Sequence, residues 1–171
     1  MSPSIATLLA LAERIEGSTI GVAIAESRYA YPIIEGVHLI GLSIAVGLIF
    51  MTDLRLMDVL FRRVPVNTVL QHLRPWVLGG FVAIFLSGGL LFWSSAARML
   101  ESPAFAFKLL FIALAGSNAL YFELVIAKRH ALAVDQLAPP WSFRYAGFAS
   151  LGLWTLVIVF GRLIPYLPTW P

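Results

Sequence analysis

Apolar and polar positions follow one another along this chain in long blocks, without the two-residue rhythm of a strand. Four apolar blocks, at about residues 32–58, 76–97, 104–128 and 143–164, are each long enough for a helix to cross a bilayer, and polar turns separate them. Ahead of them, Ser2-Pro3-Ser4 reads as a helix start. Ile5, Leu8, Leu9, Ala12 and Ile15 then form an apolar stripe beside Glu13, Arg14 and Glu16. That pattern predicts a short helix lying in the membrane interface or packed on the end of the bundle. Gly17-Ser18 interrupts it, a second short helix fits residues 20–28, and Pro32 opens the first long block. Pro165, Pro168 and Pro171 end the last block, with Tyr166 and Trp170 as an interfacial anchor. The expected fold is an all-α integral membrane protein. Residues 1–30 form an N-terminal interfacial segment, and residues 31–171 form a four-transmembrane-helix bundle.

Composition supports this. The chain is 60% hydrophobic and 12% charged, whereas a soluble domain is about 25% charged. Its mean hydropathy is +0.87. The absence of cysteine excludes disulfides, thiolate metal sites, iron–sulfur clusters and covalent c-type haem. The N-terminus has no basic leader and is expected to be retained. The net charge of +3 comes from basic residues at the ends of apolar blocks, which fits a lipid bilayer as partner and not nucleic acid. Arg55, Arg62, Arg63, Arg74, Lys128, Arg129 and Arg144 fall on one side, and Arg14, Arg28, Arg98, Lys108 and Arg162 on or near the other. The excess makes the first side cytoplasmic and puts both termini outside.

The polar residues inside the apolar blocks carry the candidate chemistry, because an ionisable group within a span is costly. Glu35 and His38 lie about one helical turn apart in the first block. Lys108 enters the third block at a similar depth, and Arg162 lies near the same end of the fourth. These four are expected to form one polar cluster. The alternative is that Lys108 snorkels to the headgroups, Glu35 pairs with Lys108 or Arg162, and His38 satisfies a backbone carbonyl. At the cytoplasmic end, Asp53, Arg55, Arg74 and Glu123 form a second set, expected mainly to tie helix ends together as ion pairs. Asn118 is expected to hydrogen-bond across helices. His72 and His130 read as interfacial polar residues. Gly41, Ser43, Ala45 and Gly47, and the stripe Gly79, Ala83 and Ser87, invite close helix packing.

His38 is the one histidine at a depth suited to the axial ligation of a b-type haem. Such a haem needs single-histidine ligation, a ligand from a partner chain, or Lys108. No metal site is expected, since the methionines form no Met-x-x-Met pattern and zinc requires more ligands than Glu35 and His38 provide. No P-loop, dinucleotide glycine motif or nucleophile elbow occurs in context, and no catalytic residue stands out.

The run Glu35-Gly36-Val37-His38-Leu39-Ile40-Gly41-Leu42, followed by Asp53-Leu54-Arg55-Leu56, resembles a family of uncharacterised bacterial four-helix inner-membrane proteins of about this length. Arg74-Pro75-Trp76, Ser87-Gly88-Gly89, Pro103-Ala104-Phe105 with Lys108, and Asn118 fit the same pattern. The resemblance covers nearly the whole chain. It implies the four-helix fold and a multi-pass position in the bacterial inner membrane, and it carries no substrate. A histidine followed by small residues in a first span is also remotely similar to membrane domains of the copper-resistance D type.

Three functions are expected. One is an accessory subunit of a membrane redox or respiratory assembly, serving electron transport and binding haem b through His38. Another is a transporter or permease component with an outer-side pathway through Glu35, His38 and Lys108. The third is a purely structural membrane partner. The small size and the small-residue stripes predict assembly, either as a homo-oligomer or with other membrane subunits.

Overall fold

A computed structural model describes residues 3–129 and 137–167, and among the described residues there is no strand. The chain runs through α1 (Pro3–Glu16), α2 (Thr19–Glu26), α3 (Ala30–Leu56), α4 (Val66–Trp93), α5 (Ala96–Glu101) and α6 (Pro103–Tyr121). A π turn, Phe122–Ile126, then leads into α7 (Ala127–Arg129), and α8 is Trp141–Leu163. Four helices are long and apolar enough to cross a membrane: α3, α4, α6 continued to Arg129, and α8. His130, Pro168, Trp170 and Pro171 lie outside the described residues.

Local chemistry sets the helix ends. The Ser18 hydroxyl accepts from the Gly21 N–H at 3.3 Å and caps α2. The Ser27 hydroxyl accepts from the Ala30 N–H at 3.0 Å where α3 begins. Pro103 occupies the first turn of α6, where its missing N–H costs nothing. The second long helix begins at Val66, ahead of the start expected near residue 76, because Pro75 sits inside it without ending it. Pro75 is exposed. This helix stops at Trp93, and residues 96–101 form the separate α5. There Ser94 and Ser95 turn their hydroxyls back onto the Leu91 carbonyl at 2.9 and 3.0 Å.

α3 is the central helix. It packs against α4 on one side and α8 on another, while α6 packs against α8; α4 and α6 flank this group and barely meet. The α3–α4 contact is a close one. Gly41 and Ala45 lie against Gly80 and Ala83, and a Cβ added to Gly80 would stand 2.9 Å from Ala45 Cβ. Ser43 and Gly47, two residues off this face, are exposed, and Gly79 points away while Gly80 is buried. The helical period selects every fourth small residue and leaves the others outside. Gly147 brings α8 onto the end of α3, where an added Cβ would lie 2.8 Å from the Asp53 carbonyl oxygen.

Two buried clusters fill the bundle. Val46, Ala115, Trp154 and Val157 pack near its middle, and Leu56, Val66, Phe122, Phe143 and Ala146 pack near the Arg55 end. At the opposite end α1, α2 and α5 form a small layer. Ala12 is buried there, the Ala97 N–H donates to the Glu16 carboxylate at 3.0 Å, and the Trp93 indole N–H donates to Ser18 at 2.9 Å. α1 thus packs on the end of the bundle, one of the two placements its stripe predicts.

Candidate functional site

The gap between α4 and α6 is a cavity of about 290 Å³. α3 and α8 supply the rest of its wall. Its deep part reaches Phe81, Gly116 and Trp154, and Gly116 is the middle residue of the helix 103–129. Its other end reaches Asp53, Arg74 and Glu123, close to the ends of their helices. The cavity therefore extends along about half the length of the bundle. Most of the lining is apolar or aromatic, and the polar exceptions are Thr52, Asp53, Arg74, Asn118, Glu123 and Ser150.

Asp53 is the unusual member. It is only 4% exposed, and its Oδ2 is buried without a hydrogen-bond partner. Ser150, which approaches from α8, is its polar neighbour. A buried carboxylate without a cation is expensive, so such a group is kept neutral or takes up a positive charge. The close approach of Gly147 fixes the backbone beside it, so Asp53 is held on a rigid element.

The expected ion pairs at this end divide. Arg74 and Glu123 do pair, across the gap between α4 and α6. Glu123 lies in the π turn, a feature that often marks functional sites because it re-aims side chains within a helix. Arg55 does not pair with Asp53, and Asp53 has no ion-pair partner among the described residues. The reason is geometric: residues two apart on a helix do not face each other. Arg55 is fully buried and organises the following loop. It donates to the Val64 carbonyl at 2.8 Å and the Leu137 carbonyl at 2.7 Å, and it lies 3.4 Å from Asp58. Asp58 and Phe61 both adopt positive φ in this loop, at 60° and 53°. Arg144 also reaches Asp58 at 3.4 Å.

Asn118 donates to the Ala146 carbonyl at 3.1 Å and so bonds across α6 and α8. A second hollow, of about 450 Å³, shares Asn118 and Ala146 and is lined by Tyr121, Arg129, Ser142 and Tyr145 among others. It holds no buried charge.

At the other end, His38 is half-buried between α3 and α4. Its Nδ1 lies 3.0 Å from the Ser87 hydroxyl. Ser87 donates its own proton to the Ala83 carbonyl, so the ring Nδ1–H is the donor to Ser87, and the ring also lies within hydrogen-bond reach of the Ile84 backbone. Gly88 makes room for the ring, since an added Cβ would stand 3.0 Å from its Cε1. Glu35 and Lys108 lie within electrostatic range of the ring. Glu35 is exposed, and no ion pair joins it to Lys108 among the described residues. The Lys108 stem lies along Gly161 of α8, 3.5 to 3.7 Å from where a Cβ would be. Arg162 does not join this group. It is exposed and donates to the Tyr166 hydroxyl at 3.0 Å, with its guanidinium over the same ring. Tyr166 lies in the turn just past the end of α8, four positions on from Arg162, which brings the two side chains together. His72 is exposed and bonds the Thr68 carbonyl at 2.7 Å.

Neither cavity is lined by His38. Among the described residues no three of His, Asp and Glu converge as a metal site would require.

A model of a family of unknown function, DUF6644, matches residues 13–167. The chain belongs to this family. The match takes in all four long helices, both α2 and α5, and every residue of the cavity wall. No curated protein and no solved structure matches the sequence.

Proposed function

We propose that this member of the family crosses a bacterial inner membrane four times and serves as a transporter or permease component. Its solute chamber is the cavity at Asp53. One observation carries the reading: a carboxylate that is 4% exposed and unpaired lies on the wall of a 290 Å³ cavity between helices long enough to span a bilayer. The outward faces support membrane insertion, since Ile40, Leu86 and Phe148 are more than 60% exposed while Ser87 and Ser150 are buried. The basic excess supports a cytoplasmic Arg62-Arg63 loop and outside termini, which puts the Asp53 end of the chamber toward the cytoplasm. The chamber sits at the opposite end from Glu35, His38 and Lys108. A chain of this size would work as a homo-oligomer or beside other membrane subunits.

The natural lack of cysteine makes a clean test available. Ala119→Cys on the cavity wall should react with a small charged thiol reagent in membrane vesicles. Leu120→Cys, 62% exposed on the outward face, should not. An unreactive Ala119→Cys means that water does not enter the cavity, and the chamber reading then fails.

A second reading keeps His38 as a haem b ligand in a redox assembly. It is favoured by Ser87 holding Nδ1, the kind of outer contact that fixes the ring of a ligating histidine. A partner chain would have to complete the pocket. A Soret band that His38→Ala removes, and that His72→Ala and His130→Ala leave, supports it; a colourless purified protein rejects it.

A further inference from the structure

We infer that the chamber is a binding site for a small organic ammonium ion with an aromatic or other apolar body. This rests on the chamber reading above and adds the class of ligand to it. Asp53 offers a buried carboxyl group with no arginine, lysine or histidine partner among the described residues, and a cationic ligand would hold it in its charged form. Phe81, Phe122 and Trp154 line the same cavity, and the rings of Phe81 and Trp154 stand 5.4 Å apart. Aromatic faces attract a cation through the ring quadrupole and also hold an apolar body. A carboxylate together with aromatic walls is therefore the chemistry that recognises an amine in its protonated form. Ser150 and Asn118 add hydrogen-bonding groups on the α8 and α6 walls.

Competing ligand classes fit less well. An anion would meet the Asp53 charge, and Arg74, the one basic side chain on the wall, is already paired with Glu123. A bare metal ion would require several oxygen or nitrogen ligands, and only one buried carboxylate is offered. A large hydrophobic ligand would exceed 290 Å³, which is at the low end for small-molecule pockets of about 300–1,000 Å³. A single ring carrying an ammonium group fits both the volume and the lining.

The test uses the full chain, purified in mild detergent, with equilibrium dialysis of phenethylamine at neutral pH, where the amine is cationic. 2-Phenylethanol is the neutral control. The expected result is saturable amine binding that is at least about tenfold tighter than that of the alcohol, with the difference lost in Asp53→Asn. Gly116→Leu provides an independent variant. It leaves Asp53 in place and grows into the cavity from a position where an added Cβ meets nothing within 4 Å. It should also remove amine binding while eluting as the wild type does. Three results overturn the inference: no saturable amine binding by the wild type, equal binding of amine and alcohol, or amine binding unchanged in Gly116→Leu. If Ala119→Cys is labelled and the amine does not bind, the ligand class fails and the chamber stands. If Ala119→Cys is unreactive, both fail.

Discussion

At one end of the bundle Asp53 is sealed against Gly147, keeps an unpaired oxygen and borders a cavity; at the other, His38 meets a serine, and Lys108 lies flat along a glycine. Both ends put ionisable groups inside apolar helices, and the cavity of about 290 Å³ lies beside those of the first. The cause is how the neighbouring helices approach. Near the middle and at the His38 end, α3 and α4 lock through Gly41, Ala45, Gly80 and Ala83, and Phe92 of α4 stacks on Phe105 of α6 with centroids 5.8 Å apart. Toward the Asp53 end α4 and α6 separate, and a single ion pair, Arg74 with Glu123, crosses the gap. Close packing thus holds the helices together at one end, while the other end keeps a cavity between them.

The largest expected effect comes from the loop that closes the Asp53 end. Arg55→Ala should lower stability by about 3 kcal/mol, since two charge-assisted hydrogen bonds to the Val64 and Leu137 carbonyls are lost from a fully buried side chain. Thermal unfolding in detergent measures this, and proteolysis should rise between residues 57 and 65. An unchanged unfolding midpoint would mean that the loop does not depend on Arg55.

A matched pair of glycine substitutions compares the two ends directly. Gly147→Ala presses on the Asp53 carbonyl, a backbone atom that cannot swing away, and should cost about 1–3 kcal/mol. Gly88→Ala presses on the His38 ring, which can rotate about its side-chain bonds, and should cost under about 1 kcal/mol. Equal costs would show that His38 is held as rigidly as the α3 backbone, and would strengthen the haem reading.

The smallest effect belongs to the pair that bridges the gap. Arg74 and Glu123 are 54% and 45% exposed, so Glu123→Gln should change stability by no more than about 1 kcal/mol. The same change should speed labelling of Ala119→Cys if the pair stands at the cavity mouth. A large loss of stability with unchanged labelling would make the pair a structural tie.

Much of the fold was legible along the chain, for identifiable reasons. Long apolar blocks bounded by Pro, Ser and Gly give four long helices whatever their partners, because an apolar run of that length satisfies its own backbone only as a helix. Arg74 and Glu123 were legible as members of one charged set at that end, and Asn118 as a group that bonds across helices. The separation of Asp53 from Arg55 follows from helical period alone, since residues two apart do not share a helical face. The exit of Arg162 to Tyr166 is likewise a local relation, between the last turn of α8 and the turn that follows it. Ser87 was read as a small packing residue, and its bond to His38 spans 49 positions. No local signal marks such a contact.

What the sequence determined by itself was the helical class, the number of long helices and the identity of the polar residues they carry. These depend on hydropathy and backbone satisfaction, which act over one or two turns. Tertiary structure decided which polar residues have partners and where space remains. The π turn at Phe122–Ile126 sets the direction of Glu123, and α8 seats on Asp53 through Gly147. Whether α4 meets α6 depends on how α4 packs against α3 and α6 against α8. Cavities arise from such pairwise crossings of helices, and a crossing is a property of two surfaces that no single stretch of chain contains.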